Sequence, residues 1–124
     1  MGKGRRKSKF DKIRDRSWRF YSNWRKTGSK CPAFQNEVIH ISRFGWNHLL
    51  DSRKHRTTAD TIRRLEAIPL AKKLLETATT VQEFRKDKGI SYWAFTALLD
   101  GKRIKVVVSA KNTKKYFLSV IVYR

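Results

Sequence analysis

ISYWAFTALLDGKRIKVVVSA, residues 90–110, carries the pattern that decides the fold. Asp100-Gly101 is a type I′ turn signal, because both positions accept positive φ and the turn's twist matches that of the flanking strands. With those two residues as the loop, Ala97 faces Ile104, Phe95 faces Val106 and Trp93 faces Val108, giving one apolar face. Tyr92, Thr96, Arg103, Lys105 and Ser109 then line a polar and basic face. KNTKK, residues 111–115, reads as a second turn and YFLSVIVYR, residues 116–124, as the third strand of a meander. A three-residue loop at 112–114 puts Leu118, Val120 and Val122 on the apolar face, and Ser119 and Tyr123 on the polar one. A slip of one residue reverses that assignment.

Upstream of this hairpin the period is helical. Phe10, Ile13, Ser17, Phe20 and Trp24 recur at spacings of three and four, with Trp18 and Tyr21 beside them. GSKCP, residues 28–32, marks a break. EVIHIS, residues 37–42, is short and β-branched, consistent with a strand, and Trp46 to Asp51 reads as a short helix. Asp60 or Thr58 caps the next helix, through Ile62 and Leu65. Pro69 kinks that helix or opens a new one carrying Leu70, Leu74 and Leu75. Thr80 and Glu83 have capping-box spacing, which predicts a short last helix through Lys86. The fold expected is α+β: N-terminal helices followed by a small antiparallel sheet, a three- to four-stranded meander.

The chain has 124 residues, 30 Lys and Arg against 10 Asp and Glu, and a formal charge of +20. Self-repulsion on that scale is tolerated most readily where a polyanion or an acidic partner neutralises it. Residues 1–30 hold twelve of the basic residues against Asp11 and Asp15. They read as a basic, partly helical N-terminal arm with a loose start, ahead of one α+β domain over residues 31–124. Cys31 is the single cysteine, which excludes an internal disulfide and a cysteine-based zinc site. No segment approaches a membrane span of about 18 apolar residues, and MGKGRRKSKF lacks a signal peptide's apolar stretch. The expectation is a soluble chain not exported by a signal of its own.

Walker loops, dinucleotide-binding glycines and HExxH are absent from the sequence, and the acidic residues are scattered singly. Carboxylate-based two-metal chemistry therefore has little support. RNA cleavage without metal asks for other groups: a base for the 2′-OH proton, an acid for the leaving 5′-oxygen, and cations for the charge growing on phosphorus. Histidine, arginine, lysine, serine and tyrosine supply them. His48, between Trp46 and Leu49, reads either as a helix residue packed in the core or as that acid or base. His40 alternates with Ile39 and Ile41 and reads as a strand residue facing solvent. His55, among Arg53, Lys54 and Arg56, reads as a phosphate contact or a solvated loop. Arg63, Arg64, Lys105 and Ser119 fit either an exposed polar surface or a phosphate site.

Beyond these separate readings, VIHISRFGWNHLL (38–50), RKHR (53–56), TIRRLEAIPLAKKLL (61–75) and KKYFLSV (114–120) together resemble the barnase/EndoU/colicin/RelE-like (BECR) ribonucleases of phage and toxin type. The resemblance implies helices ahead of a compact antiparallel sheet and metal-independent endoribonuclease activity that generally leaves a 2′,3′-cyclic phosphate. It implies no cofactor, RNA as substrate with transfer RNA foremost, and an acidic immunity protein or antitoxin as partner. It also implies a cytoplasmic site of action, with delivery as part of a longer toxin in several members. The histidine of the family's aromatic-x-His-Leu pattern falls on His48, the serine of its last strand on Ser119, and its basic residues loosely on Arg53, Arg56 and Arg64. Ile121 stands where colicin D-type members have an aromatic residue, and Tyr123 is the substitute from the same face. On this basis His48, Ser119, Arg56, Arg64 and Lys105 are the expected catalytic residues. Arg53, Lys54, His55, Arg63, Arg103 and Tyr123 are expected to bind nucleic acid, joined on grounds of charge by Arg5, Arg6 and Lys7. The rival expectations are a noncatalytic basic RNA- or DNA-binding protein and an interaction domain whose basic face meets an acidic protein.

Overall fold

The computed structural model describes residues 7–51 and 57–123. Within them the chain runs α1 (Lys9–Arg25), β1 (Ser29–Cys31), a 3-10 turn (Pro32–Phe34), β2 (Glu37–His40), α2 (Arg43–Leu50), α3 (Thr58–Glu66), α4 (Ile68–Thr77), β3 (Glu83–Asp87), β4 (Ile90–Leu99), β5 (Lys102–Ala110) and β6 (Lys115–Tyr123). The fold is α+β, with four helices and one sheet of six strands in the order β1-β2-β6-β5-β4-β3.

The quoted hairpin forms in the register that its turn dictates. Asp100 and Gly101 have φ of 50° and 72°, and Ala97, Phe95 and Trp93 pair with Ile104, Val106 and Val108. The sheet is nonetheless larger and more mixed than a three- to four-stranded antiparallel meander. β2 joins β6 in parallel through Ile39–Lys115 and His40–Tyr116, and β1 pairs antiparallel with β2. These two strands also precede three of the helices, so the helices do not all come first. β2 falls within the strand expected at residues 37–42, but its parallel pairing with β6 leaves no local trace, and β1, at three residues, is too short to display a period.

The helix expected through Lys86 is instead strand β3. Glu83–Asp87 pairs antiparallel with β4 across Lys88-Gly89, whose φ values are 51° and 81°. A two-residue turn with both φ positive draws its flanks into a hairpin, and that pairing overrides the local capping-box spacing. On β6 the expected inward set also changes. A bulge at Val107/Val108 places Phe117 against Val108 where Leu118 was expected, so Phe117 is buried in its place, while Val120 is buried and Val122 half-buried on the expected face.

α1 starts at a capping box, in which the Ser8 hydroxyl accepts from the Asp11 N–H at 3.1 Å while the Asp11 carboxylate accepts from the Ser8 N–H at 3.4 Å. Its buried residues Ile13, Ser17, Tyr21 and Trp24 recur at helical spacing, and Lys12, Arg16, Arg19 and Lys26 remain exposed. Residues 9–25 thus combine the charge expected of the arm with a face built into the common core. Ser17 ties α1 to α3 by donating to the Leu65 carbonyl at 3.3 Å. Pro69 opens α4, whose Ile68, Ala71 and Leu75 meet Phe95, Ile104, Val106 and Val108 in the same core. The apolar face of the sheet is therefore covered by helices, and the opposite face carries Tyr92, Lys105 and Ser109.

Candidate functional site

α2 is fixed closely against β6. A Cβ on Gly45 would lie 2.7 Å from both the Phe117 carbonyl oxygen and the Tyr21 hydroxyl, so only glycine fits without movement. The Tyr21 hydroxyl donates to the Ser42 carbonyl at 2.6 Å, and burial pushes its phenol well above the ordinary tyrosine range, keeping it protonated as a donor. Ser42 in turn caps α2 through the Gly45 N–H at 3.4 Å. Gly45→Ala should therefore cost roughly 1–3 kcal/mol, as overpacking does. Urea unfolding measures it, and an unchanged midpoint would contradict the close approach.

With α2 held this way, Trp46 packs inward on Trp18 and Tyr21, at ring-centroid distances of 5.0 and 5.4 Å. His48 is half-buried and lines a cleft of about 380 Å³ together with Arg64, Arg85, Tyr92 and Ser119. Ser119 pairs with Val107 on the polar face, as the alternation along β6 predicts, and is only 3% exposed where it lines the cleft. Arg64 is oriented from two sides. Its Nε donates to Asp60 at 2.9 Å, and its Nη1 reaches both the Ser119 hydroxyl and the Val120 carbonyl at 3.4 Å. At 13% side-chain exposure, Arg64 is shielded enough for its charge to act on a ligand with less screening than a surface arginine.

The polar face continues from this cleft toward the β3 edge. An adjoining cleft of about 260 Å³ shares Arg85, Tyr92, Val107 and Ile121 with the first, so the two form one trough across the sheet. Arg85 lies over the Tyr92 ring at 4.2 Å, a cation–π contact that holds a cation and an aromatic ring together in the trough. At the far end Lys105 pairs with Glu83 at 3.1 Å.

Of the residues expected to be catalytic, His48, Arg64 and Ser119 share a cleft. Lys105 lies in the adjoining part and does not line the His48 cleft. Arg56, with Arg53, Lys54 and His55, falls outside the described residues, as do Arg5 and Arg6. Lys7 pairs with Asp15 and holds that carboxyl below its usual range. Arg63 lies 3.9 Å from Asp60, which it shares with Arg64, and does not itself line the cleft. Arg103 and Tyr123 are cross-strand partners, both exposed, at the far ends of their strands. His40 is half-buried, its ring 5.4 Å from that of Tyr116.

Arg85 and Tyr92 were not expected at the site. Tyr92 falls on the polar face already in the sequence, and the signal for Arg85 was Lys88-Gly89 read as a turn, with Glu83, Arg85 and Asp87 alternating behind it. Among the described residues no three His, Cys, Asp or Glu side chains gather as a metal-ligating group, and no helix is long and apolar enough to cross a membrane. Comparison of the chain with family models, curated proteins and solved structures gives no match in any of the three.

Proposed function

We propose that the chain is a metal-independent endoribonuclease of the phage and toxin type, cleaving transfer RNA or other RNA by 2′-OH attack to leave a 2′,3′-cyclic phosphate. The observation that carries this reading is the meeting of His48, Arg64 and Ser119 in one cleft on the polar face. A base removes the 2′-OH proton, the freed oxygen bonds to phosphorus, the bond to the 5′-oxygen breaks, and an acid protonates that oxygen. His48 serves as one of the two proton carriers, and Tyr92 is a second group with a transferable proton in the cleft. Arg64 and Arg85 steady the charge growing on the phosphorane, and the Ser119 hydroxyl donates to a phosphate oxygen. Lys105 extends the cationic path along the RNA backbone. Transfer RNA as the target rests on the family resemblance, as does an acidic immunity partner.

Incubation of transfer RNA and total RNA with the protein in EDTA tests the proposal. Discrete fragments ending in 2′,3′-cyclic phosphate are expected. Intact RNA accompanied by tight, salt-sensitive binding would instead identify a noncatalytic binder, the reading that the charge of +20 alone favours.

A further inference from the structure

A second cleft, of about 570 Å³, opens between the start of α2 and the turn joining β5 to β6. Phe44 and Tyr116 line it with Ile90 and Ser109 from the sheet, and Lys111 and Lys114 contribute from the turn. It belongs to the same face as the trough: Tyr92 pairs with Ser109, Ser109 with Tyr116, and Tyr116 with His40. These four residues form one row across β4, β5, β6 and β2, and adjacent strands are about 4.8 Å apart. Tyr92, at one end of the row, lines the His48 cleft.

Phe44 is 68% exposed and Tyr116 is 37% exposed. A single exposed aromatic ring on a protein surface is ordinary. Two in one cleft, beside a cationic trough, with lysines at the turn and no carboxylate among the lining residues, match a ligand that is flat, apolar on its faces and attached to a polyanion. We infer that this cleft is a subsite for an unpaired nucleobase, which stacks against Phe44 and Tyr116 while its strand continues into the His48 cleft. The flanking phosphates meet Lys111 and Lys114. A paired base already spends both ring faces on its neighbours, so the subsite selects single-stranded or looped RNA over duplex. This deepens the ribonuclease reading and rests on the trough holding an RNA backbone.

Binding of a short, fluorescently labelled 2′-O-methyl strand, which has no 2′-OH to attack, tests the subsite without relying on cleavage. Anisotropy at fixed salt should show Phe44→Ala and Tyr116→Ala each weakening binding by about thirtyfold, the middle of the range for loss of one base-stacking contact. Phe44→Trp should preserve binding. A strand of the same length built of abasic sugars should bind the parent weakly, and the alanine variants no worse. Equal binding of the intact and abasic strands by the parent overturns the subsite, and so does an equal loss on both strands in the variants. A protein that binds bases in this way yet leaves RNA uncut keeps the subsite and loses the ribonuclease reading; cleavage without base-dependent binding does the reverse.

Discussion

His48→Ala is expected to slow RNA cleavage in EDTA by roughly 10²- to 10⁴-fold, the usual contribution of a positioned proton carrier. That is about 3–5 kcal/mol of transition-state stabilisation. The fold should survive, because α2 is anchored by other residues: Gly45, Trp46 and Leu49 are its buried positions, while His48 is half-buried on the cleft side. Circular dichroism and thermal unfolding confirm that the comparison is between folded proteins. Cleavage by the folded variant at the parental rate would end the assignment of His48, whatever became of the activity as a whole. Binding to the uncleavable strand should change little, since one side chain is removed and the cations Arg64 and Arg85 remain in the cleft. A parallel loss of binding and cleavage would therefore identify His48 as a contact residue and not a proton carrier.

Arg64 separates charge from geometry in the same cleft. Its guanidinium spans Asp60, Ser119 and the Val120 carbonyl, an arrangement that needs several donors in one plane. Lysine keeps the charge but not that fork, so Arg64→Lys should lose rate as well. Its loss should be partly visible as lower stability, because Asp60 and the Val120 carbonyl would no longer share one donor group.

How much of this could be read from the sequence depends on how local each signal is. Asp100-Gly101 fixes the register of β4 and β5 because a two-residue I′ turn leaves no slack, and the alternation on either side agrees with it. The register of β6 failed at Leu118, where the bulge adds a residue that no alternation announces. β1 and β2 are held by partners far along the chain, and β3 was masked by a capping-box spacing that its hairpin overrides. The candidate site divides in the same way. His48 and Ser119 stood out by residue type and by the predicted polar face, whereas Arg85 depended on recognising Lys88-Gly89 as a turn. The charge of residues 1–30 pointed to an arm, and the spacing of Phe10, Ile13, Ser17, Phe20 and Trp24 pointed to a packed helix, in which Tyr21 and not Phe20 proves fully buried.

Trp24→Ala weighs that last pair of signals. Trp24 is 2% exposed, lies 5.2 Å from the Phe117 ring, and donates from Nε1 to the Ser29 hydroxyl at 2.8 Å. Ser29 donates onward to the Glu76 carboxylate at 2.7 Å, so one side chain links α1, β1 and α4. Truncation leaves a cavity beside Phe117 and removes the donor to Ser29, and large aromatic-to-alanine changes in cores cost about 3–5 kcal/mol. Domains of this size have only about 5–15 kcal/mol of stability in total, so urea or thermal unfolding should show a large downward shift or outright unfolding. Neutralising the exposed Lys12, Arg16 and Arg19 should instead change stability by no more than about 0.5 kcal/mol per site. If those three residues touch phosphates, the same variants flatten the salt dependence of RNA binding by about 0.7–0.9 in slope per lost contact. A Trp24→Ala protein as stable as the parent would show that α1 carries charge alone and that the core closes without it.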